Sequence, residues 1–198
     1  MTCISDILNT IIQRDIPRIA RLHTDELDMI QNPVRFIGRS GIDGINYSSL
    51  SRNLGITKYK AEQYVGLLEA AFVLQCTFPA GTNVLREPKV LLSLPYRLLF
   101  RDFSDAIGGL REDFFAEAMR QAGIAFTYLK STRGRKTPDY LVDHEGDKLV
   151  IEIGGPGKGR ERFKGVSPDR KLIFTQSERS DGIYRPLFML GYLAPTGA

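Results

Sequence analysis

Residues 44–69 constrain the fold more than any other part of this sequence. Apolar residues recur at helical spacing on both sides of Gly55, and Thr57 follows that glycine by two positions. Glycine readily takes the left-handed conformation that ends a helix, and threonine is a preferred N-cap. Ser48 or Ser49 is placed to cap the first of the two helices. The segment therefore predicts a helix, a tight turn and a second helix.

The second of these helices carries the candidate nucleic-acid-binding residues. Its outward side is expected to present Lys58, Tyr59, Lys60 and Gln63, and Arg52 lies on the helix before it. A recognition helix offers basic and amide side chains to the major groove of DNA in this way. A helical hairpin with solvated lysines and a module that contacts only proteins are the alternatives.

The flanking sequence extends this segment into a small first domain. Apolar spacing predicts one helix that Pro17 closes and another from Thr24 to near Gly38, while residues 72–78 and 89–94 are predicted to form two strands of a hairpin. Helices followed by a helix-turn-helix and a β-hairpin are typical of a winged helix.

From the glycines at 108–109 onward the sequence pattern changes to alternating helices and strands, so we expect two domains. Residues 1–95 form the helical segment and winged helix, 96–107 a linker, and 108–198 an α/β domain. After the glycines at 108–109 we predict a helix over Arg111–Ala122, then a strand, two further strands, a helix, a strand and a final helix. This alternation is typical of layered α/β architecture. The predicted fold class is thus α+β or α/β, with a mixed sheet in the second domain.

Two acidic residues interrupt the apolar β-runs of this second domain. Asp139 stands near the start of one run and Glu152 near the end of the next, with a polar turn at 144–147 between them. Antiparallel pairing brings both carboxylates to the same end of the sheet. Because a carboxylate in an apolar run is costly unless it is exposed, paired or bound to a cation, the two form a candidate Mg²⁺ site.

Pro138-Asp139 and Glu152-Ile-Gly154 resemble the motif of the PD-(D/E)xK nuclease superfamily. The resemblance implies a restriction-endonuclease-like fold in which Asp139 and Glu152 hold the metal and act in catalysis. It also implies that an acid on the preceding helix, Glu112 or Glu117, completes the site.

The catalytic lysine of that superfamily is missing, because position 154 is glycine. Lys158 or Lys136 would have to supply the cation that stabilises charge developing on a phosphate. The alternatives are a Mg²⁺-dependent deoxyribonuclease and a catalytically silent domain that keeps only the fold. We favour the silent domain, and Mg²⁺ is the one cofactor under consideration.

The formal charge of +4 is concentrated in residues 130–171, which hold eleven Lys or Arg and seven Asp or Glu. Within this window Arg133, Arg135 and Lys136 precede Asp139 and are candidate phosphate contacts. The glycine-rich run after Glu152 lacks the spacing of a Walker A loop. We therefore expect no ATP binding by this chain.

The order of these pieces resembles the C-terminal half of a large family of prokaryotic AAA+ ATPases, in which a winged helix and a nuclease-like domain follow a P-loop domain. The strongest matches are Arg14–Pro17, Ile45–Ile56, Lys60–Glu69, Pro88–Val90 and Glu112–Phe115. The resemblance implies a DNA-binding or protein-interaction half that is no enzyme alone and whose motor lies elsewhere. Its candidate partners are DNA, an ATPase domain and a partner protein.

The cysteines and the hydropathy pattern bear on location. Cys3 and Cys76 lie far apart with no Cys/His cluster near them, so neither a disulfide framework nor a zinc site is expected. No apolar stretch reaches the roughly 20 residues that span a bilayer. We expect a cytoplasmic protein without a membrane partner.

Overall fold

The structure is a computed structural model of mixed α/β architecture. It describes residues 2–41, 44–81, 87–130, 137–144, 146–155, 157, 159–163, 170–178 and 180–193. The chain divides into two compact units, the first formed by Met1–Cys76 with Glu87–Asp113 and the second by Thr77–Arg86 with Phe114–Ala198.

Helices dominate the first unit. They are α1 (Thr2–Thr10), a π-helical segment (Ile11–Asp15), α2 (Ile16–Ile19), α3 (Thr24–Arg39), α4 (Tyr47–Leu54), α5 (Lys58–Ala70), a 3-10 turn (Tyr96–Leu99) and the first part of α6 (Phe103–Gln121). Their apolar sides meet in one core, in which Ile30, Leu50, Tyr64 and Leu68 are almost completely buried.

The predicted helix–turn–helix is confirmed. Gly55 ends α4 with φ at +66°, and Thr57 Oγ1 accepts a hydrogen bond from Lys60 N–H at 3.2 Å to cap α5. The prediction of a serine cap for α4 is wrong. Asn46 is the cap, since its Oδ1 accepts from Ser49 N–H at 2.8 Å while its own N–H donates to Ser49 Oγ at 2.8 Å.

The prediction that Pro17 closes the first helix is also wrong. The π-helical segment continues α1, and at its end Ile16 N–H donates to the Ile11 carbonyl. Pro17 then lies in the first turn of α2. A proline is tolerated there because its missing N–H would have no intrahelical partner.

Two short strands complete the first unit. β1 (Leu74–Thr77) and β2 (Lys89–Leu92) form a small antiparallel sheet and are buried along their whole length. The segment between α3 and α4 joins β2, because Val90 N–H donates to the Ile45 carbonyl at 2.7 Å.

Helix α6 begins at Phe103, well before the predicted start at Arg111. Gly108 and Gly109 lie inside it and do not break it. Each glycine costs about 1 kcal/mol relative to alanine in a helix interior, but the turns on either side bury Ala106 and Leu110. Tertiary burial therefore outweighs the local preference.

The second unit is built on a mixed sheet, as predicted. Its strands are β3 (Ala125–Tyr128), β4 (Tyr140–His144), β5 (Asp147–Gly154), β6 (Lys171–Thr175) and β7 (Tyr184–Pro186). They lie in the order β3-β4-β5-β6-β7, with antiparallel pairing across β3, β4 and β5 and parallel pairing across β5, β6 and β7.

The end of the chain departs from the predicted pattern. Strand β7 has no counterpart in the prediction. Where two helices were expected, the described residues form 3-10 turns at Arg160–Phe163 and Leu187–Tyr192.

Each face of this sheet carries its own apolar cluster. Phe115 and Met119 of α6 pack on the face that includes Ile151 and Ile153. Val150 packs with Ile173 and Phe163 on the other face.

Within the described residues, no helix combines the length and the apolar character needed to cross a membrane.

Candidate functional site

The two predicted carboxylates stand beside the same end of the β4–β5 hairpin. Tyr140, the first residue of β4, pairs with Ile151 of β5, so Asp139 and Glu152 each lie one position beyond this pair. Asp139 N–H donates to the Ile151 carbonyl at 3.1 Å, which is one position away from the bond that direct opposition to Glu152 would require. The hairpin agrees with the sequence analysis, and the convergence of the two carboxylates on one face stays a prediction.

Glu152 has no solvent exposure. Side chains alternate along a strand, so Glu152 shares its face with Val150, and its partner on β6 is the buried Ile173. A carboxylate at such a position is expensive to ionise without compensating contacts. This environment differs from that of a solvent-facing metal ligand.

Asp139 is half-buried, and one of its oxygens has a structural role. Its Oδ2 accepts a hydrogen bond from Ile153 N–H at 2.7 Å, and its carbonyl accepts from Leu129 N–H at 2.9 Å. The residue therefore fastens the start of β4 to both neighbouring strands.

The acids predicted to complete the site make other contacts. Glu112 belongs to the first unit, where its Oε2 lies 2.5 Å from Lys89 Nζ. Glu117 accepts from Gln121 Nε2 at 3.3 Å and lies on α6, which packs on the sheet face opposite to Glu152.

The described residues do not make a complete cation site. Among them, no group of three or more His, Cys, Asp or Glu side chains is arranged to hold a metal ion. The four predicted cations Arg133, Arg135, Lys136 and Lys158 lie outside the described residues. A Mg²⁺ ion would thus have only Asp139 and Glu152 as described candidate ligands, one fully buried and the other committed through Oδ2 to the backbone.

The basic residues of α5 are largely neutralised. Lys58 Nζ forms an ion pair with Glu87, and Lys60 Nζ forms one with Glu26. Tyr59 remains 73% exposed. The outward side of α5 therefore offers less free positive charge than its sequence indicates.

The two remaining candidates on this segment differ from each other. Arg52 is exposed on α4, as expected. Gln63 is half-buried, and its Oε1 is shielded from solvent.

The Glu26–Lys60 pair changes the titration of both groups. The hydrogen bond from Lys60 lowers the pKa of Glu26, with the bond from the His23 backbone acting in the same direction. The hydrogen bond to Glu26 raises the pKa of Lys60. The pair joins the start of α3 to the start of α5.

The stability of the chain is therefore expected to fall in acid partly through Glu26. Since its folded pKa is depressed, its contribution is present above the unfolded pKa and is lost as the pH falls through the folded value. From about pH 6 to about pH 3, through the range near 4.3 where free glutamates titrate, wild type should lose more stability than Glu26→Gln. Urea unfolding followed by circular dichroism measures this difference.

Asp25→Asn supplies the matched control, because Asp25 is an exposed acid in the same helical turn. It should follow the wild-type pH dependence. A Glu26→Gln variant whose stability falls as steeply as wild type would contradict the assignment.

The first unit also carries a cleft that was not predicted from the sequence. Its lining includes Arg35 and Arg39 of α3, together with Asn32, Ser40 and Leu54. The two arginines are four residues apart and exposed, so they lie on the same side of the helix. A detectable signal was present: residues 29–61 contain five Lys or Arg and a single acid, Asp43.

Comparison with known proteins identifies one family. A protein-family model described as "Domain of unknown function (DUF8612)" matches residues 1–103. No curated protein and no solved structure matches this chain.

Proposed function

We propose that the chain, which belongs to the DUF8612 family, is a duplex-DNA-binding module without catalytic activity of its own. One observation carries the proposal. The segment between α3 and α4 hydrogen-bonds to β2 through Ile45 and Val90, next to the α4–α5 helix–turn–helix. In our proposal, the helices, the β1–β2 pair and this added segment together form a winged helix.

Local geometry supports this interpretation. The left-handed Gly55 and the Thr57 cap set the turn between α4 and α5, and Tyr64 and Leu68 anchor α5 in the core. Helices joined by a short turn of this kind are a common DNA-binding device, in which the protein contacts the phosphate backbone and the grooves.

The second unit supports the absence of catalysis. Its resemblance to the PD-(D/E)xK superfamily includes Asp139 and Glu152 but not the lysine, since position 154 is glycine. Full burial of Glu152 and the bond from Ile153 N–H to Asp139 Oδ2 fit a structural use of both carboxylates. We propose a nuclease-like domain that keeps the fold and has lost the chemistry.

The resemblance to the C-terminal half of prokaryotic AAA+ ATPases suggests that this module works together with an ATPase domain. In our proposal, the module attaches a separately encoded or covalently linked ATPase to DNA. ATP binding belongs to that partner.

Fluorescence anisotropy with a labelled duplex of about 30 base pairs tests the proposal. We expect binding at low salt and a clear loss of affinity between about 50 and 200 mM KCl, because counterion release drives such association. In Mg²⁺ the same duplex should remain intact with wild type and with Asp139→Ala.

Two results would contradict the proposal. Failure to bind at low salt would remove the DNA-binding role. Cleavage by wild type that disappears in Asp139→Ala would identify the second unit as a metal-dependent nuclease.

A protein-interaction module that regulates an ATPase is a second candidate function. It is favoured by the neutralised lysines of α5 and by the large exposed aromatic side chains of Tyr59 and Phe72, which are 73% and 82% exposed. Association with a purified ATPase domain in the absence of nucleic acid, combined with no affinity for DNA, would select this function.

A further inference from the structure

We infer that the first unit holds the DNA phosphate backbone in the arginine cleft, defined by Arg35, Arg39 and Arg101, and not along α5. The inference rests on the proposed DNA-binding function and assigns its contact surface. Lys58 and Lys60, the cations of the predicted recognition helix, form ion pairs with Glu87 and Glu26. Each would have to give up an existing carboxylate partner before binding a phosphate.

The cleft is an open depression of about 570 Å³ between the C-terminal half of α3 and the end of α4. Arg35 and Arg39 project from one side of α3, one helical turn apart, and Asn32 precedes them by a further turn. Ser40 and Leu54 also line the cleft.

A third guanidinium group borders this cleft. Arg101 Nη1 lies 3.5 Å from the Ser40 carbonyl and would lie 3.7 Å from a Cβ placed on Gly41. Ser40 and Gly41 both line the cleft, so Arg101 adds its positive charge at the rim.

Arg35 and Arg39 are available to a ligand. In the part of the chain that the structure describes, neither takes part in an ion pair or a hydrogen bond. From residue 29 to residue 61 the only acid in the sequence is Asp43, which lies outside the described residues. The pair therefore differs from Lys58 and Lys60, whose charges are already compensated.

Guanidinium groups suit phosphate better than other anions because their planar N–H donors can form two parallel bonds to its oxygens. Two of them on successive turns span about 6 Å along the helix axis, and the amide of Asn32 adds a neutral donor. Several adjacent donors of this kind match a chain of phosphates, and contacts to the backbone position a protein on DNA without reading its sequence.

The test compares two double variants by anisotropy with the same labelled duplex. Arg35→Ala/Arg39→Ala removes the cleft pair. Arg14→Ala/Arg18→Ala removes another exposed pair, also four residues apart and in the same unit. Each double variant loses two positive charges. A difference in DNA affinity between them therefore reflects where the arginines lie and not the net charge of the protein.

We expect the cleft variant to bind at least about tenfold more weakly than wild type at low salt, with the slope of log affinity against log salt reduced by about 2. The control variant should stay within about threefold of wild type. Arg35→Lys/Arg39→Lys, which keeps the charge, should recover part of the affinity. Circular dichroism on all variants shows whether the fold is kept, and both arginine pairs are solvent-exposed.

The outcomes separate this inference from the proposed function. If wild type binds DNA and the cleft variant binds equally well, or if Lys58→Ala/Lys60→Ala alone abolishes binding, the inference is overturned and the proposed function stands. If wild type does not bind DNA, the proposed function fails and this assignment fails with it.

Discussion

Replacing Asp113 by alanine is expected to lower the free energy of unfolding by about 3–5 kcal/mol, the cost of breaking a buried ion pair from one side. Asp113 has no solvent exposure. Its Oδ2 accepts from Arg97 Nε at 2.6 Å and its Oδ1 from Arg97 Nη2 at 2.9 Å, with Leu92 N–H adding a third bond at 3.2 Å. Burial raises the pKa of Asp113, and the contacts with Arg97 act in the opposite direction.

The loss of stability in Asp113→Ala arises because the buried Arg97 guanidinium loses its counterion. Arg97 is also buried, and its Nη1 donates a hydrogen bond to the Ile37 carbonyl at 3.1 Å. Without the carboxylate a guanidinium charge stays in the interior and, among the described residues, keeps the Ile37 carbonyl in place of its counterion. An uncompensated buried charge is far more costly than the absence of both charges.

Chemical unfolding of Asp113→Ala, Arg97→Met and the double variant measures this coupling. The double variant should be less destabilised than the two single losses added together, because it removes the charge that each single variant strands. A loss below about 1 kcal/mol in Asp113→Ala, a value typical of exposed pairs, would show that the pair does not hold α6 to β2.

The helix–turn–helix could be predicted from sequence because its signals are local. Gly55 and Thr57 act within one turn of the residues they cap, so no distant contact can easily overrule them. Local signals gave a wrong prediction at Pro17. The π-helical segment continues the helix past the expected end, so the proline lies in the first turn of α2. Local signals also failed at Gly108, where burial along α6 outweighed the low helical preference of glycine.

Some features of the candidate site could likewise be predicted from local sequence, and others could not. The β4–β5 hairpin was predictable, since a short turn fixes the register of a hairpin. The neutralisation of Lys60 was not, because Glu26 lies 34 residues away in sequence. Net charge summed over long windows also concealed the arginine cleft, since the acids that cancel these charges in the sum lie outside residues 29–61.

Neighbouring glycines of α6 are expected to respond in opposite directions to the same substitution. Gly108→Ala should raise the free energy of unfolding by about 0.5–1 kcal/mol, because a helix interior favours alanine over glycine by that amount. Gly108 is exposed, and a Cβ placed on it meets nothing within 4 Å. The added methyl group therefore brings only the gain in helix propensity.

Gly109→Ala should instead lower the free energy of unfolding by about 1–3 kcal/mol, the usual cost of overpacking. Its Cβ would lie 2.5 Å from Cζ and 2.6 Å from Nε of Arg97. A flexible arginine would move away at little cost, but this one is held by Asp113 and by the Ile37 carbonyl. The methyl group can be accommodated only by disturbing the buried ion pair or by displacing α6.

Thermal and urea unfolding of the two variants side by side measures the difference, and helix propensity cancels in the comparison. In the Asp113→Ala background Arg97 loses its anchor, so Gly109→Ala should become markedly less destabilising there. If Gly109→Ala stabilises the protein as much as Gly108→Ala, Arg97 is free to move. The ion pair with Asp113 then does not hold the Arg97 side chain rigidly against Gly109.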